Sequence, residues 1–108
     1  QDSSNNAFIR AITDDEFNGT NPITLPLNQQ LLIPITYQHP LDNKVHTFAC
    51  GIDDPSILSN KKISSASNFS TISLTDLFIP LAIGQVKIIY LYDGEIVKEL
   101  TVIVTKAK

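Results

Sequence analysis

Val86-Lys87-Ile88-Ile89-Tyr90-Leu91-Tyr92-Asp93-Gly94-Glu95-Ile96-Val97-Lys98-Glu99-Leu100-Thr101-Val102-Ile103-Val104-Thr105 sets the structural class of this chain. β-Branched and aromatic residues fill both arms, and such side chains fit a pleated, half-buried surface. Asp93-Gly94 stands between the arms. A two-residue turn joining antiparallel strands needs φ > 0 at both central positions, which Gly adopts freely and Asp better than most. The stretch therefore predicts a β-hairpin, 86–92 against 95–105. Val86, Ile88, Tyr90 and Tyr92 share one face of the first arm, and Leu100 and Val102 share one face of the second.

The preceding residues continue the pattern in shorter pieces. Residues 7–13 predict a first strand, followed by a polar loop through Asp14-Asp15-Glu16 and Asn18-Gly19-Thr20-Asn21-Pro22. Residues 23–27 predict a short extended piece whose Pro26 suits a sheet edge. Over 30–38, Leu31, Ile33, Ile35 and Tyr37 alternate, while Pro34 cannot donate a ladder hydrogen bond and implies an edge or a bulge there. Residues 44–50 predict another strand, broken at Gly51-Ile52-Asp53-Asp54-Pro55. Residues 56–67 show no period. Alternation returns over 68–74, and Thr75-Asp76-Leu77-Phe78 reads as one helical turn capped by Thr75 and stopped by Pro80. Residues 1–6 hold no apolar anchor and predict a disordered tail. About seven strands at roughly 8–12-residue spacing give an all-β class, an antiparallel β-sandwich forming one domain over 7–106.

The succession Thr71-Ile72-Ser73-Leu74-Thr75-Asp76-Leu77, a crossing connection ending at Gly84, and the 86–105 hairpin resembles the last three strands of immunoglobulin-like and fibronectin-type-III-like domains. The resemblance is one of architecture over about a third of the chain. It implies a fold and carries no functional residue with it. The paired cysteines and core tryptophan of antibody domains are absent.

Composition narrows the function classes. At 108 residues and 43% hydrophobic, the chain can bury one core. Only 18% of residues are charged, against about 25% in an average soluble chain, so Ser, Thr, Asn and Gln make up the surface. Net charge is −3 and no basic cluster exceeds Lys61-Lys62, so no nucleic-acid partner is expected. No run nears the roughly 20 apolar residues of a membrane helix. The chain lacks Met even at position 1 and opens Gln1-Asp2-Ser3-Ser4-Asn5-Asn6. It is thus expected to be a mature secreted form or a piece of something longer, with neighbouring domains possible in that longer chain. Asn18-Gly19-Thr20 and Asn68-Phe69-Ser70 are sequons, so Asn18 and Asn68 would accept glycans in a eukaryotic secreted chain.

No residue pattern points to catalysis. His39, His46 and Cys50 are the soft metal ligands, but His46 and Cys50 stand about 13 Å apart along a strand. Zinc spacing is absent, so no metal is expected; both histidines read as surface residues and Cys50 as half-buried. Nothing brings a histidine to Cys50 as its base. The four glycines are isolated, so no phosphate loop and no cofactor are expected. Tyr37, Tyr90 and Tyr92 read as packing residues before a binding face. The Ser- and Thr-rich segment 56–75 reads as a solvated edge, with strand addition by a partner as the alternative.

What remains are polar turns able to serve as binding loops: Asp14, Asp15, Glu16 and Asn18; His39 and Asp42; Asp53 and Asp54; and Asp93. The first functional expectation is a non-catalytic secreted, periplasmic or cell-surface module that recognises another protein or a cell-surface glycan. The second is a free-standing secreted inhibitor or effector that binds an enzyme through its end loops. The third is a strand-adding subunit of a fibrous assembly.

Overall fold

The computed structural model describes residues 8–38 and 40–108. The expected tail over 1–6, Ala7 and the candidate His39 lie outside the described residues. The elements are β1 (Phe8–Ala11), α1 (Asp14–Asn18), β2 (Ile23–Pro26), β3 (Gln29–Gln38), β4 (Phe48–Ile52), β5 (Leu58–Ser67), β6 (Thr71–Pro80), β7 (Gly84–Tyr92) and β8 (Glu95–Thr105). They form two four-stranded sheets, ordered β1-β3-β6-β5 and β2-β8-β7-β4. The all-β sandwich is thus present, with eight strands where about seven were expected.

The pairing is antiparallel except for β1 with β3 and β2 with β8, which run parallel. Chain path explains both exceptions. The chain leaves β1 through α1, crosses to the other sheet as β2, and returns through Leu27-Asn28 into β3. Pro34 ends the first parallel ladder. The carbonyls of Asn28 and Leu32 accept from Phe8 and Ile12 N–H at 3.0 and 2.9 Å, so every second residue of β3 turns its main chain toward β1. Pro34 is next in that series and has no N–H to give.

Inward alternation builds the core. Ile23 and Leu25, Leu31 and Ile33, Leu74 and Phe78, Val86, Ile88 and Tyr90, and Leu100, Val102 and Val104 are all buried. The turn has the expected backbone, with φ of 50° at Asp93 and 85° at Gly94. Beyond it the β7–β8 register shifts between Tyr90, opposite Lys98, and Leu91, opposite Ile96. Val97 is the extra residue of a bulge.

Residues 56–67 show no hydrophobic period, yet β5 runs Leu58–Ser67 beside β6 as the outer strand of its sheet. Three other local expectations are corrected. Residues 75–78 are not a helical turn: they lie inside β6, where Asp76 takes an inward position and is 2% exposed. Residues 14–18 are not a loop but a short helix. Thr13 Oγ1 accepts from Glu16 N–H at 3.1 Å and Glu16 Oε1 accepts from Thr13 N–H at 3.0 Å, a reciprocal capping box. Arg10 grips both Glu16 oxygens at 2.9 Å and holds that carboxyl below its ordinary range. The strand expected over 44–50 is shifted to Phe48–Ile52, so Gly51 continues it.

Leu100→Ala is expected to lower unfolding free energy by about 2–4 kcal/mol in urea titration. Ile96→Ala, on the same strand but 55% exposed, should change it by about 0.5 kcal/mol or less. Gly94→Val should cost more than about 1 kcal/mol, because a β-branched residue disfavours positive φ. Burial, reinforced by the charge of Asp76, pushes the half-buried Cys50 thiol up to about 12. Iodoacetamide should therefore modify it roughly tenfold or more slowly in the native protein than in urea. Equal rates would place Cys50 outside the sandwich interior.

Candidate protein-binding site

Three connections meet at one end of the sandwich: the β3–β4 loop, the β5–β6 turn and the Asp93-Gly94 turn of β7–β8. Each is built by short-range hydrogen bonds. In the β5–β6 turn, Asn68 Oδ1 accepts from Ser70 N–H at 3.0 Å, Thr71 N–H at 2.9 Å and the Thr71 hydroxyl at 3.0 Å. One asparagine thus shapes the whole turn, and Phe69 stands at its tip, 90% exposed. In the β3–β4 loop, Asp42 Oδ1 accepts from Lys44 N–H at 3.0 Å. Leu41 and Val45 flank this small turn and point outward, 77% and 94% exposed.

His46 joins the β3–β4 loop to the hairpin. Its Nε2 lies 2.8 Å from Asp42 Oδ1 and its Nδ1 lies 2.6 Å from Asp93 Oδ2. A neutral imidazole carries a single N–H, so two carboxylates at its two nitrogens are both satisfied only by the imidazolium. Hydrogen bonds to Asp93 and then Asp42 raise the His46 ring above its ordinary value. The same bonds, aided by backbone N–H groups of Thr47 and Lys44, hold Asp93 and Asp42 below theirs. Asp93 is tied further to the start of β4, its Oδ1 accepting from Thr47 N–H at 2.9 Å and its N–H donating to Thr47 O at 2.9 Å.

Aromatic rings carry this end down into the core. His46 stacks on Tyr92 at 5.3 Å, Tyr92 meets Tyr37 at 4.7 Å, Tyr37 stacks on Phe48 at 5.6 Å, and Phe48 on the fully buried Tyr90 at 6.0 Å. Between the β3–β4 loop and the β5–β6 turn opens a cavity of about 460 Å³, lined by Asp42, Lys44, Val45, His46, Ser67, Asn68 and Phe69.

Of the candidates named from sequence, Asp42 and Asp93 come together here. Asp14, Asp15, Glu16 and Asn18 sit on α1, on the flank between the sheets. Asp53 and Asp54 sit at the opposite end. Asp53 Oδ1 accepts from Lys87 N–H at 2.8 Å, and Asp54 caps the Ser56 turn through Ser56 N–H at 3.1 Å. The sequon Asn68 lies within the three-loop end, whereas Asn18 is exposed on the flank. The residues missed were His46, read as a surface histidine, and the outward apolar trio Leu41, Val45 and Phe69. Their signal was present: each of the trio is an isolated apolar residue inside a polar connection. Among the described residues, no three of His, Cys, Asp and Glu are placed to hold a metal ion, and no helix is long and apolar enough to cross a membrane.

No protein-family model matches the chain, and no curated protein matches it significantly. Solved structures similar in fold include two small proteins. One is the cysteine protease inhibitor EhICP2 from Entamoeba histolytica, 17% identical with a TM-score of 0.57, the match covering 90% of this chain and 95% of that one. The other is amebosin, 17% identical with a TM-score of 0.55, covering 91% of this chain and 98% of that one. At this identity the likeness is one of fold.

Proposed function

We propose that this protein is a non-catalytic inhibitor that blocks a cysteine protease by inserting its three-loop end into the enzyme's cleft. The observation that carries this reading is the convergence of three connections at one end, with Leu41, Val45 and Phe69 turned to solvent beside an open cavity. Isolated apolar side chains on stiff turns are suited to act as anchors in a partner's pockets. The fold shared with a cysteine protease inhibitor supports the choice of partner. The reading moves from the first expectation of the sequence, a surface module, to its second, an inhibitor acting through end loops. Secretion fits its polar, weakly charged surface.

The inhibition is non-covalent and steric. Loops already ordered by Asn68, Asp42 and Asp93 lose little further freedom on binding, so more of the contact energy appears as affinity. An Asn68-linked glycan would stand among the three loops, so this reading takes Asn68 as unmodified.

The test is titration of the protein into papain with a fluorogenic peptide substrate. Substrate-competitive inhibition is expected. Phe69→Ala and Val45→Ala should each weaken it by about tenfold or more without lowering the melting temperature, because both side chains are exposed. Leu81→Ala and Ile83→Ala, exposed apolar positions at the opposite end, should leave it unchanged. Folded protein that inhibits neither papain nor any other cysteine protease tested would sink the reading. Binding that leaves peptide hydrolysis untouched would return the protein to the surface-module class.

A further inference from the structure

The side chain that reaches both the β3–β4 loop and the β7–β8 turn is His46, and its two contacts are not equivalent. Asp93 belongs to a two-residue turn already fixed to Thr47 by two hydrogen bonds. Asp42 belongs to an exposed loop, residues 40–45, that also carries Leu41 and Val45. When the imidazolium loses a proton, one nitrogen lone pair must face a carboxylate lone pair. The arm that gives way is the Asp42 arm, because the Asp93 arm is anchored in a second way. The segment bearing two of the three outward apolar residues is then released from the hairpin.

Among the described residues, the groups facing His46 come from three elements and the hairpin turn. The loop brings Asp42 and Lys44, the hairpin brings Asp93, and β7 brings Tyr92, with Tyr37 of β3 behind it. The β5–β6 side of the cavity contributes Ser67, Asn68 and Phe69, none of which titrates. Burial and the two nearby carboxylates push the Tyr92 hydroxyl upward, so it stays neutral through the mild acid and mild alkaline range. Among the described residues, the charged groups at this point are therefore the Asp42–His46–Asp93 bridge and Lys44.

We infer that His46 is the positioning residue of the binding end: as an imidazolium it holds the β3–β4 loop against the Asp93-Gly94 turn, so the protein binds tightest in mildly acidic medium and its partner is a protein met there. This deepens the inhibitor reading and rests on it. The sign follows from the shifts. His46 is raised, so the bridge is complete below the ordinary imidazole value of about 6.5 and is lost as pH climbs through the raised value. Asp42 and Asp93 are lowered, so it survives into acid below the ordinary carboxylate range and is lost as pH falls through their values. Tight binding occupies the window between these two limits.

Two measurements on the intact chain test this. In an NMR pH titration of labelled protein, the His46 ring should titrate above the ordinary imidazole value. The amides of residues 42–46 and of Asp93 and Gly94 should follow the same curve, and His46→Gln should remove that curve. In parallel, papain inhibition is measured from pH 5.5 to 8.5 for the wild type, His46→Gln and Asp42→Asn, and the ratio of inhibition constants cancels the enzyme's own pH dependence. Relative to His46→Gln, the wild type should lose about fivefold or more in affinity across that range, and Asp42→Asn should flatten the profile as well. A ring that titrates at or below its ordinary value, or loop amides that ignore it, overturns the bridge. Strong inhibition with a flat ratio overturns the positioning role and leaves the inhibitor reading standing. No inhibition at any pH overturns the inhibitor reading and the partner assignment together, while the ring titration still decides the bridge.

Discussion

Asp93 has its backbone in the left-handed region, with φ of 50°, while its carboxylate reaches two residues at the start of another strand. The backbone half sets the register of β7 on β8. That register places Val86, Ile88 and Tyr90 on the face shared with Leu100, Val102 and Val104. Because side chains alternate with a period of two, a one-residue slip would turn one strand's buried set outward. The side-chain half fixes Thr47 and His46, and through His46 the β3–β4 loop. Core register and loop position are thereby set by one residue, and neither can shift without disturbing the other.

Where burial was one-sided, the strands were legible in the sequence. β3, β7 and β8 alternate because one face meets the opposite sheet and the other meets water. β5 left no such trace, since every residue from Asn60 to Ser67 is exposed on both faces; a strand held by its backbone ladder and Leu58 writes no hydrophobic period. β6 was cut short in the reading by Asp76. A buried carboxylate at an inward position, accepting from Asn60 Nδ2 at 2.8 Å, interrupts the apolar alternation while the backbone runs on to Pro80. The parallel pairs were not legible either, because they arise from a path that changes sheets between β1 and β3.

The binding end divides along the same line. Asp42 and Asp93 could be named as loop acids because turn chemistry is local. Their meeting at one imidazole could not, since Asp93 lies 47 residues beyond His46 and the two are joined only once β4 pairs with β7. His46 itself was read as a surface histidine because no metal-ligand spacing in the sequence gave it a partner. The Asn68 turn was closer to legible: an Asx side chain two and three residues before N–H donors is a short-range motif, overlooked because the same triplet reads as a sequon.

An exposed ion pair contributes little to folding stability, and a histidine bridge at the rim of a sandwich is no exception. Its effect belongs to a different equilibrium. The described part of the β3–β4 loop is exposed except for His46, and ordering each of its residues against a partner costs conformational entropy. A bridge that grips the loop at Asp42 and the hairpin at Asp93 removes part of that cost before any partner arrives. The gain therefore appears in association and not in melting temperature, where the buried faces of β3, β7 and β8 dominate. The same division applies to Asn68, whose three accepted hydrogen bonds order a turn that buries nothing. A small sandwich without a disulfide can thus keep its stability in the core and its binding competence in a few polar contacts at one end, and the two can be altered separately.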